Sequence, residues 1–435
     1  MPAIKIAIVG GGIAGLTTAI ALEKYVGPAH DLDIRIYERL DLGDMHRHED
    51  RKQESVNVAP MVGAGLGLQN NGVHILGELD PRIKAAVEYG GFKCRGFRFL
   101  TAGDWLLGRI NQPLITISRG VLINALREAL PAASLRQRTV IDISINPGGL
   151  PALRLDGDEE LGEVDLLIGA DGIRSPTRHA LFGNDQRYHA EYSGACAVGG
   201  FHKMAVPEHI INDQTMNFVY GSTGFFGYSA LSQNVHDKLL YWSVFAHPLP
   251  DRKELVDLNV MDDLLKTRHG QWRSPIIRSI LTEAKVDSIW PIFFVPPLPS
   301  WGRDGAVLVG DAAHAMTPRS GQGASQGIED AQTLAILLAE ELKRSSNRHE
   351  AIRRTIDGLY QIRKDRVRAI HEQANTFKEP ELPMSRLQTW ALYAAFFIMT
   401  KLSTFVDIFP KPGTWDSRAA VERYLSLPDQ VANVQ

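Results

Sequence analysis

The sequence predicts an α/β chain: a parallel-sheet, dinucleotide-binding unit interleaved with a mainly antiparallel β-sheet and followed by helices. Three observations predict it. A β-branched run over residues 4–9 leads straight into Gly10, Gly12 and Gly15, which stand in G-x-G-x-x-G spacing. Two further apolar runs, residues 164–168 and 305–309, are each followed by a short turn carrying an aspartate, Asp171 and Asp311. Between these runs, over residues 188–294, aromatic-rich strand candidates alternate with turn residues.

Residues 4–9 have the length and composition of a buried parallel strand. The glycines then open a helix over residues 13–24. Gly10 permits the tight turn, Gly12 lets backbone N–H groups approach a pyrophosphate, and Gly15 lets helix and strand pack closely. A second strand over 33–37 ends at Glu38, where this motif expects a ribose-binding carboxylate. Residues 41–55 are polar and charged and read as an exposed loop. Residues 63–69 read as a flexible, glycine-rich segment before a helix at 72–79. Strand-like alternation covers 94–100 and 105–110, and Ser118-Arg119 opens a helix to residue 130. Short strands at 140–145 and 152–155 precede the buried run at 164–168. In the aromatic block, strands are expected at 195–201, 216–220, 225–231, 239–246 and 289–295, with amphipathic helices at 252–267 and 275–284. A long helix is expected at 323–342, and the remaining C-terminal residues read as helical.

Composition narrows the classes. A net charge of −3 over 435 residues offers no electrostatic case for nucleic acid. The two cysteines, Cys94 and Cys196, lack C-x-x-C or metal-ligand spacing, so no disulfide framework or metal is expected and a reducing, cytoplasmic compartment fits. The first apolar run stops at the glycines and has no basic stretch before it, so it reads as a strand rather than a signal peptide. Residues 390–399 form the longest apolar run, too short to span a bilayer. It reads as a buried or interface helix, with shallow contact at a membrane surface as the alternative.

The three glycine- and aspartate-bearing segments look built to hold parts of one flavin nucleotide. Asp171-Gly172 follows a buried strand, at the edge where α/β sheets bind ligands. Asp311 stands in the same relation to its own strand, where a carboxylate suits sugar-like hydroxyls. Pro318 and the run Gly321-Gln322-Gly323-Ala324 place backbone N–H groups at a helix start. Such an arrangement stabilises negative charge, including the electron-rich edge of a reduced flavin. Each segment alone is an ordinary turn; their order and spacing carry the reading.

On these residues the chain resembles the class A flavoprotein aromatic monooxygenases of the para-hydroxybenzoate and salicylate hydroxylase type, and among them fungal secondary-metabolism members, over residues 3–345. The resemblance implies a Rossmann-like FAD-binding domain made of residues 1–75, 119–187 and 295–345. It also implies a substrate domain made of 76–118 and 188–294, and a C-terminal helical region at 346–435. Gly10, Gly12, Ile13, Ala14 and Gly15 would cradle the FAD pyrophosphate, Glu38 would bind the adenosine ribose, and Arg39 and Val140 are further cofactor-binding candidates. Arg119 matches a family arginine that contacts FAD, and Asp171 and Gly172 match a motif credited with contacts to FAD and to transient NADPH or NADH. Gly310 and Asp311 would hold the ribityl chain; Pro318, Gly321, Gln322, Gly323 and Ala324 would border the isoalloxazine ring. Gly65, Leu66 and Gly67 match a segment that swings beside the ring. Three departures stand out. The stretch between Glu38 and Gly63 is longer than usual, Ser325 replaces a common Asn, and Gly199 stands where many relatives carry a substrate-pairing Arg. The missing guanidinium argues against a small anionic acid, and Gly199-Gly200 leave room for a bulkier ligand.

The implied reaction uses NAD(P)H and O2 through a flavin C4a-hydroperoxide to hydroxylate or epoxidise an aromatic, polyketide or indole-type molecule in secondary metabolism. Tyr220, Phe226, Tyr228, Tyr241, Phe293 and Phe294 are the substrate-binding candidates, and His202 or Tyr241 the candidates for accepting a phenol proton. The alternatives are an FAD oxidase or dehydrogenase on the same scaffold and a non-catalytic flavin-binding protein.

Overall fold

The computed structural model of the chain describes residues 2–40, 65–157, 159–204, 206–233, 238–251, 257–286, 288–375, 382–402 and 415–427. The loop expected at 41–55, Gly63 and the start of the helix expected at 252–267 lie outside these residues.

A six-stranded sheet runs in the order Gly302–Arg303, Ala306–Leu308, Leu166–Gly169, Ile4–Val9, Leu32–Glu38, Leu135–Gln137. Its pairings are parallel except at the edge between Gly302–Arg303 and Ala306–Leu308. All of Ile4–Val9 except Lys5 is buried, as a strand covered on both faces requires. Helix Ile13–Tyr25 packs on the long helix Gly323–Arg344, which in turn carries Arg348–Asn375. The register sets Val9 level with Tyr37 and Gly169, and Gly169 level with Leu308. The carboxyl ends of these strands therefore share one edge.

The second sheet has seven strands in the order Ser288–Phe294, Glu191–Lys203, Lys238–Ala246, Gly224–Ala230, Thr215–Gly221, Gly96–Thr101, Leu106–Ile110. Its neighbours are antiparallel apart from Thr215–Gly221 beside Gly96–Thr101, so the expected mainly antiparallel sheet is present. One face, with Cys196, Val198, Phe226, Tyr228, Tyr241 and Phe245, packs against Met261 and Leu265 of helix Leu258–His269 and Ile277 and Ile280 of helix Pro275–Glu283. Burying side chains of this size contributes roughly 1.5–3 kcal/mol each. The opposite face carries Ala195, Ala197, Phe225, Trp242, Val244, Trp290 and Ile292.

Three local expectations change. Gly65–Gln69 is not a flexible segment but a strand, paired antiparallel with Leu114–Ser118, which in turn pairs with Phe92–Cys94. The glycines hid it, because strand formation there depends on a partner remote in sequence. Helix Pro81–Gly90, capped by the Asp80 carboxylate on the Arg82 N–H, is an element the sequence pattern does not announce. Finally, the apolar run at 390–399 lies in helix Arg386–Leu402 and is buried along one edge only. Tyr393, Phe396 and Met399 pack on Phe99, Leu107 and Ile110, while Trp390, Phe397 and Ile398 are exposed. Among the described residues no helix is long and apolar enough to cross a membrane.

Candidate active site

Three turns meet where the parallel strands end. The Gly10 N–H donates to the Tyr37 carbonyl (2.8 Å), the Ala170 N–H to the Val9 carbonyl (2.8 Å) and the Val309 N–H to the Gly169 carbonyl (3.0 Å). Packing between them is tight enough to exclude side chains. Gly10 has φ +104°, and a Cβ there would lie 2.4 Å from the Ala170 oxygen; one on Gly15 would lie 2.0 Å from the Gly10 oxygen. Gly310, at φ +59°, sits against Ala14. Gly10, Ile13, Ala14, Gly15, Asp171, Gly172, Gly310 and Asp311 thus gather at one edge, as ligand sites of open α/β sheets do.

Two observations of the chain itself fit a bound dinucleotide at this edge. A Cβ on Gly12, at the amino end of helix Ile13–Tyr25, would meet no atom within 4 Å. The Asp171 Oδ1 is buried with no hydrogen-bond partner, while Oδ2 accepts from the Thr177 N–H (2.8 Å) and hydroxyl (2.7 Å). Burial raises the Asp171 carboxyl above its ordinary range, against the lowering pull of its hydrogen bonds. Glu38 accepts from the Gly11 N–H (2.8 Å) and the Leu40 N–H (2.9 Å), and Arg39 beside it is exposed. Asp311 is exposed, with Oδ1 3.9 Å from the space a Cβ on Gly323 would take.

The loop over residues 318–324 is tied down by side chains. The Gln322 amide donates to Gln69 Oε1 (2.5 Å) and accepts from Asn71 and Gln326 (3.1 Å each), and Gln69 donates to the Ser320 carbonyl (3.2 Å). Gly321 takes φ +60°, and Gly323-Ala324 begin the 22-residue helix Gly323–Arg344. Gly65 pairs with Ser118, which brings Arg119 beside the Gly65–Gln69 strand that also carries Leu66 and Gly67. Ser325 is buried, and its Oγ lies toward Gly72 without a hydrogen-bond partner.

A buried ionic network that sequence reading missed stands behind this loop. Asp330 accepts from the Gly310 N–H (2.9 Å), His314 Nε2 (2.6 Å) and Arg363 Nε (2.9 Å). Glu329 accepts from Arg363 (2.5 Å), Arg366 (2.7 Å) and Asn71 (2.6 Å). Glu329, Asp330 and Arg363 are fully buried. Burial alone would raise the Asp330 pKa, but the charges of His314 and Arg363 together outweigh it and hold the carboxyl down at about 2. Two adjacent acids just before the apolar stretch 334–338 were the available signal.

The substrate candidates divide between faces. Tyr220 lies on the open face; its ring is 4.4 Å from Phe396 and 5.2 Å from Phe225. Phe225 and Phe218 in turn lie 6.2 and 6.0 Å from Trp242, whose indole covers Gly227. Leu240, in the same row as Trp242, presses on Gly65, so this face borders the Gly65–Gln69 strand. The resulting wall is made of Phe218, Tyr220, Phe225, Trp242, Trp290 and Phe396, and the same face of the two central strands ends at Lys203 and Lys238. Only Tyr220 of it is among the sequence-based candidates.

Phe226, Tyr228, Tyr241 and His202 turn the other way, into the helix-covered core. The Tyr241 hydroxyl donates to the Lys285 carbonyl (2.7 Å), and its ring stacks on Phe226. His202 is buried 3.8 Å from Glu283. Neither proton-acceptor candidate faces the aromatic wall. Strand alternation assigns faces in pairs, and with both faces apolar the sequence does not say which is which. Gly199 also differs from expectation. A Cβ there would lie 2.3 Å from the Tyr241 oxygen, so the neighbouring strand, and not a ligand, takes that space.

Phe294 packs on His371 (5.8 Å between rings), and Phe293 borders a separate cavity of about 550 Å3. Val140, Arg174, Ser175, His179, His189 and Tyr188 also line that cavity, and the Arg174 guanidinium stands 6.0 Å from the Phe293 ring.

A family model described as an FAD binding domain matches residues 151–370, just over half of the chain. Aurachin C monooxygenase/isomerase of Stigmatella aurantiaca is 29% identical over 369 residues, covering 80% of this chain and 85% of that protein. Salicylate hydroxylase of Pseudomonas putida is 28% identical over 375 residues, covering 81% and 80%. Among solved structures, a salicylate hydroxylase substrate complex superposes with TM-score 0.69 at 20% identity, over 98% of this chain and 99% of that one. HpxO of Klebsiella pneumoniae, complexed with FAD and uric acid, gives 0.69 at 17% identity over 98% and 97%. These structures share the fold.

Proposed function

Because the chain belongs to the FAD-binding domain family and is an FAD-dependent monooxygenase, we propose that it oxygenates an aromatic molecule held against the wall of Phe218, Tyr220, Phe225, Trp242 and Trp290. The observation that carries this reading is the wall itself: apolar, half-buried, and bordering the strand tied to the cofactor-side loop. One oxygen atom of O2 goes into the substrate and the other leaves as water, with NAD(P)H as the electron source. FAD, when bound, would supply the redox chemistry that couples NAD(P)H to O2.

The chain supplies position and dryness. Gly12 and the helix start behind it would hold the pyrophosphate, Glu38 the ribose and Asp311 the ribityl hydroxyls. The amino end of helix Gly323–Arg344 would face the ring edge that gains charge. Trp242 and Phe396 shield the wall from water. The Arg174-lined cavity suits a nicotinamide nucleotide, with a guanidinium for phosphate and Phe293 and Tyr188 for stacking. Cys94 and Cys196 are both buried and not joined in a disulfide, which accords with a cytoplasmic setting.

Two measurements test the reading. Trp242→Ala should raise KM for an accelerating aromatic substrate about tenfold or more, while Tyr241→Phe stays within about twofold of wild type. Equal responses of both variants, or flavin reduction by the organic substrate without NAD(P)H, would sink it. Separately, Arg174→Ala should raise KM for NAD(P)H about tenfold with kcat at saturation retained. An unchanged KM removes the cavity from the reaction.

A further inference from the structure

Exposed large apolar side chains concentrate at one place on this molecule. Helix Arg386–Leu402 presents Leu387 (81% exposed), Trp390 (61%), Phe397 (50%) and Ile398 (55%). Trp105 (67%) is exposed in the turn before strand Leu106–Ile110, on which the helix packs. Exposed large apolar residues elsewhere, Tyr89, Ile141, Leu249, Val260 and Leu427, are scattered along the chain. A contiguous apolar surface on a folded protein marks something that covers it.

The charges select the occupant. Within Arg386–Leu402 the ionised side chains are Arg386 at the first position and Lys401 near the last, with no Asp or Glu between them. A second copy docking through this helix would find no acid in it to pair with Arg386 or Lys401. An anionic lipid surface has the complementary sign. Trp105 and Trp390 supply rings that favour headgroup depth, and the cations sit at the two ends of the apolar stretch. Because no described helix is long and apolar enough to cross a bilayer, the contact lies in the plane of the interface.

We infer that helix Arg386–Leu402 docks reversibly on anionic lipid. Its opposite edge, through Tyr393 and Phe396, already closes the aromatic wall: the Tyr393 hydroxyl donates to the Tyr220 carbonyl (3.0 Å). One helix would therefore touch the bilayer and the wall at once.

Full-length FAD-loaded enzyme should sediment with phosphatidylcholine vesicles containing phosphatidylserine. The double variant Trp390→Glu/Phe397→Glu should bind at least about tenfold more weakly, and added salt should weaken wild-type binding. Flavin content and circular dichroism matching wild type verify that the variant is folded. Should it misfold, Leu387→Gln/Ile398→Gln replaces it with the same expectation. The inference fails if wild type stays in the supernatant with these vesicles. It also fails if sedimentation velocity shows a dimer that the double variant dissociates, which would assign the face to a second copy.

Discussion

A Gly12→Asp variant is expected to fold at least as well as wild type and to purify without flavin. The backbone at Gly12 is ordinary, φ −77° and ψ −174°, and it caps helix Ile13–Tyr25 without a side-chain hydrogen bond. Aspartate is a favoured residue there, able to accept from the first-turn N–H groups and to complement the helix dipole. Since no atom lies within 4 Å of the new Cβ, nothing in the protein resists it. The added carboxylate takes the space, and repels the charge, of a pyrophosphate at the helix start. FAD affinity should fall by about 100-fold or more, equivalent to about 2.7 kcal/mol, while the apoprotein Tm stays level or rises. Fluorescence titration measures the first and scanning calorimetry the second. A Kd close to wild type would remove the glycine turn from cofactor binding. Gly10→Ala and Gly15→Ala serve as contrasts: both collide with backbone, so they should lower Tm as well.

Arg363→Met should cost about 3–5 kcal/mol of stability, the usual consequence of removing one partner from a buried ion pair. Its guanidinium is fully buried and serves Glu329, Asp330 and Gln326 together. Methionine fills part of the volume but leaves two acids without their shared cation. Arg363→Lys keeps the charge and loses the fork, so an intermediate loss is expected. The same network has an acid signature. The folded pKa of Asp330, about 2, lies below the ordinary value near 3.9 of an unfolded chain. Its contribution is therefore complete above about pH 4 and lost as pH falls toward 2. In Arg363→Met the folded pKa rises and this part of the acid transition moves to higher pH. Thermal melts across that range decide it; an unmoved acid limb together with a loss below about 1 kcal/mol would show that the network is not coupled to stability.

How much of the fold was legible in the sequence depends on how local each signal is. Ile4–Val9, the glycine turn and the helix after it were readable because strand, turn and helix are each specified by adjacent residues. The placement of Asp171 and Asp311 at the shared strand edge was readable because each comes just after a buried strand. Trp242 and Tyr241 could not be told apart. They are neighbours on one strand, and only the placement of helices Leu258–His269 and Pro275–Glu283 decides which face is closed. Arg363 was invisible for a related reason. Its acids lie on another helix, and its own sequence neighbourhood, Ile362 to Arg366, looks like an ordinary charged helix surface. Gly65–Gln69 misled because its glycines signal freedom, whereas its partner strand removes that freedom from a distance.

The central position of Ile4–Val9 has a consequence during synthesis. Its first neighbour, Leu32–Glu38, leaves the ribosome soon after it, but the other, Leu166–Gly169, and then Ala306–Leu308, emerge much later. At ~5–20 residues per second, that interval runs from several seconds to about a minute. Throughout it the nascent amino terminus displays an unpaired apolar strand edge, the kind of surface that recruits wrong partners. The growing polypeptide thus depends on shielding, by chaperones or by its own early helix, until translation has passed the last of these strands.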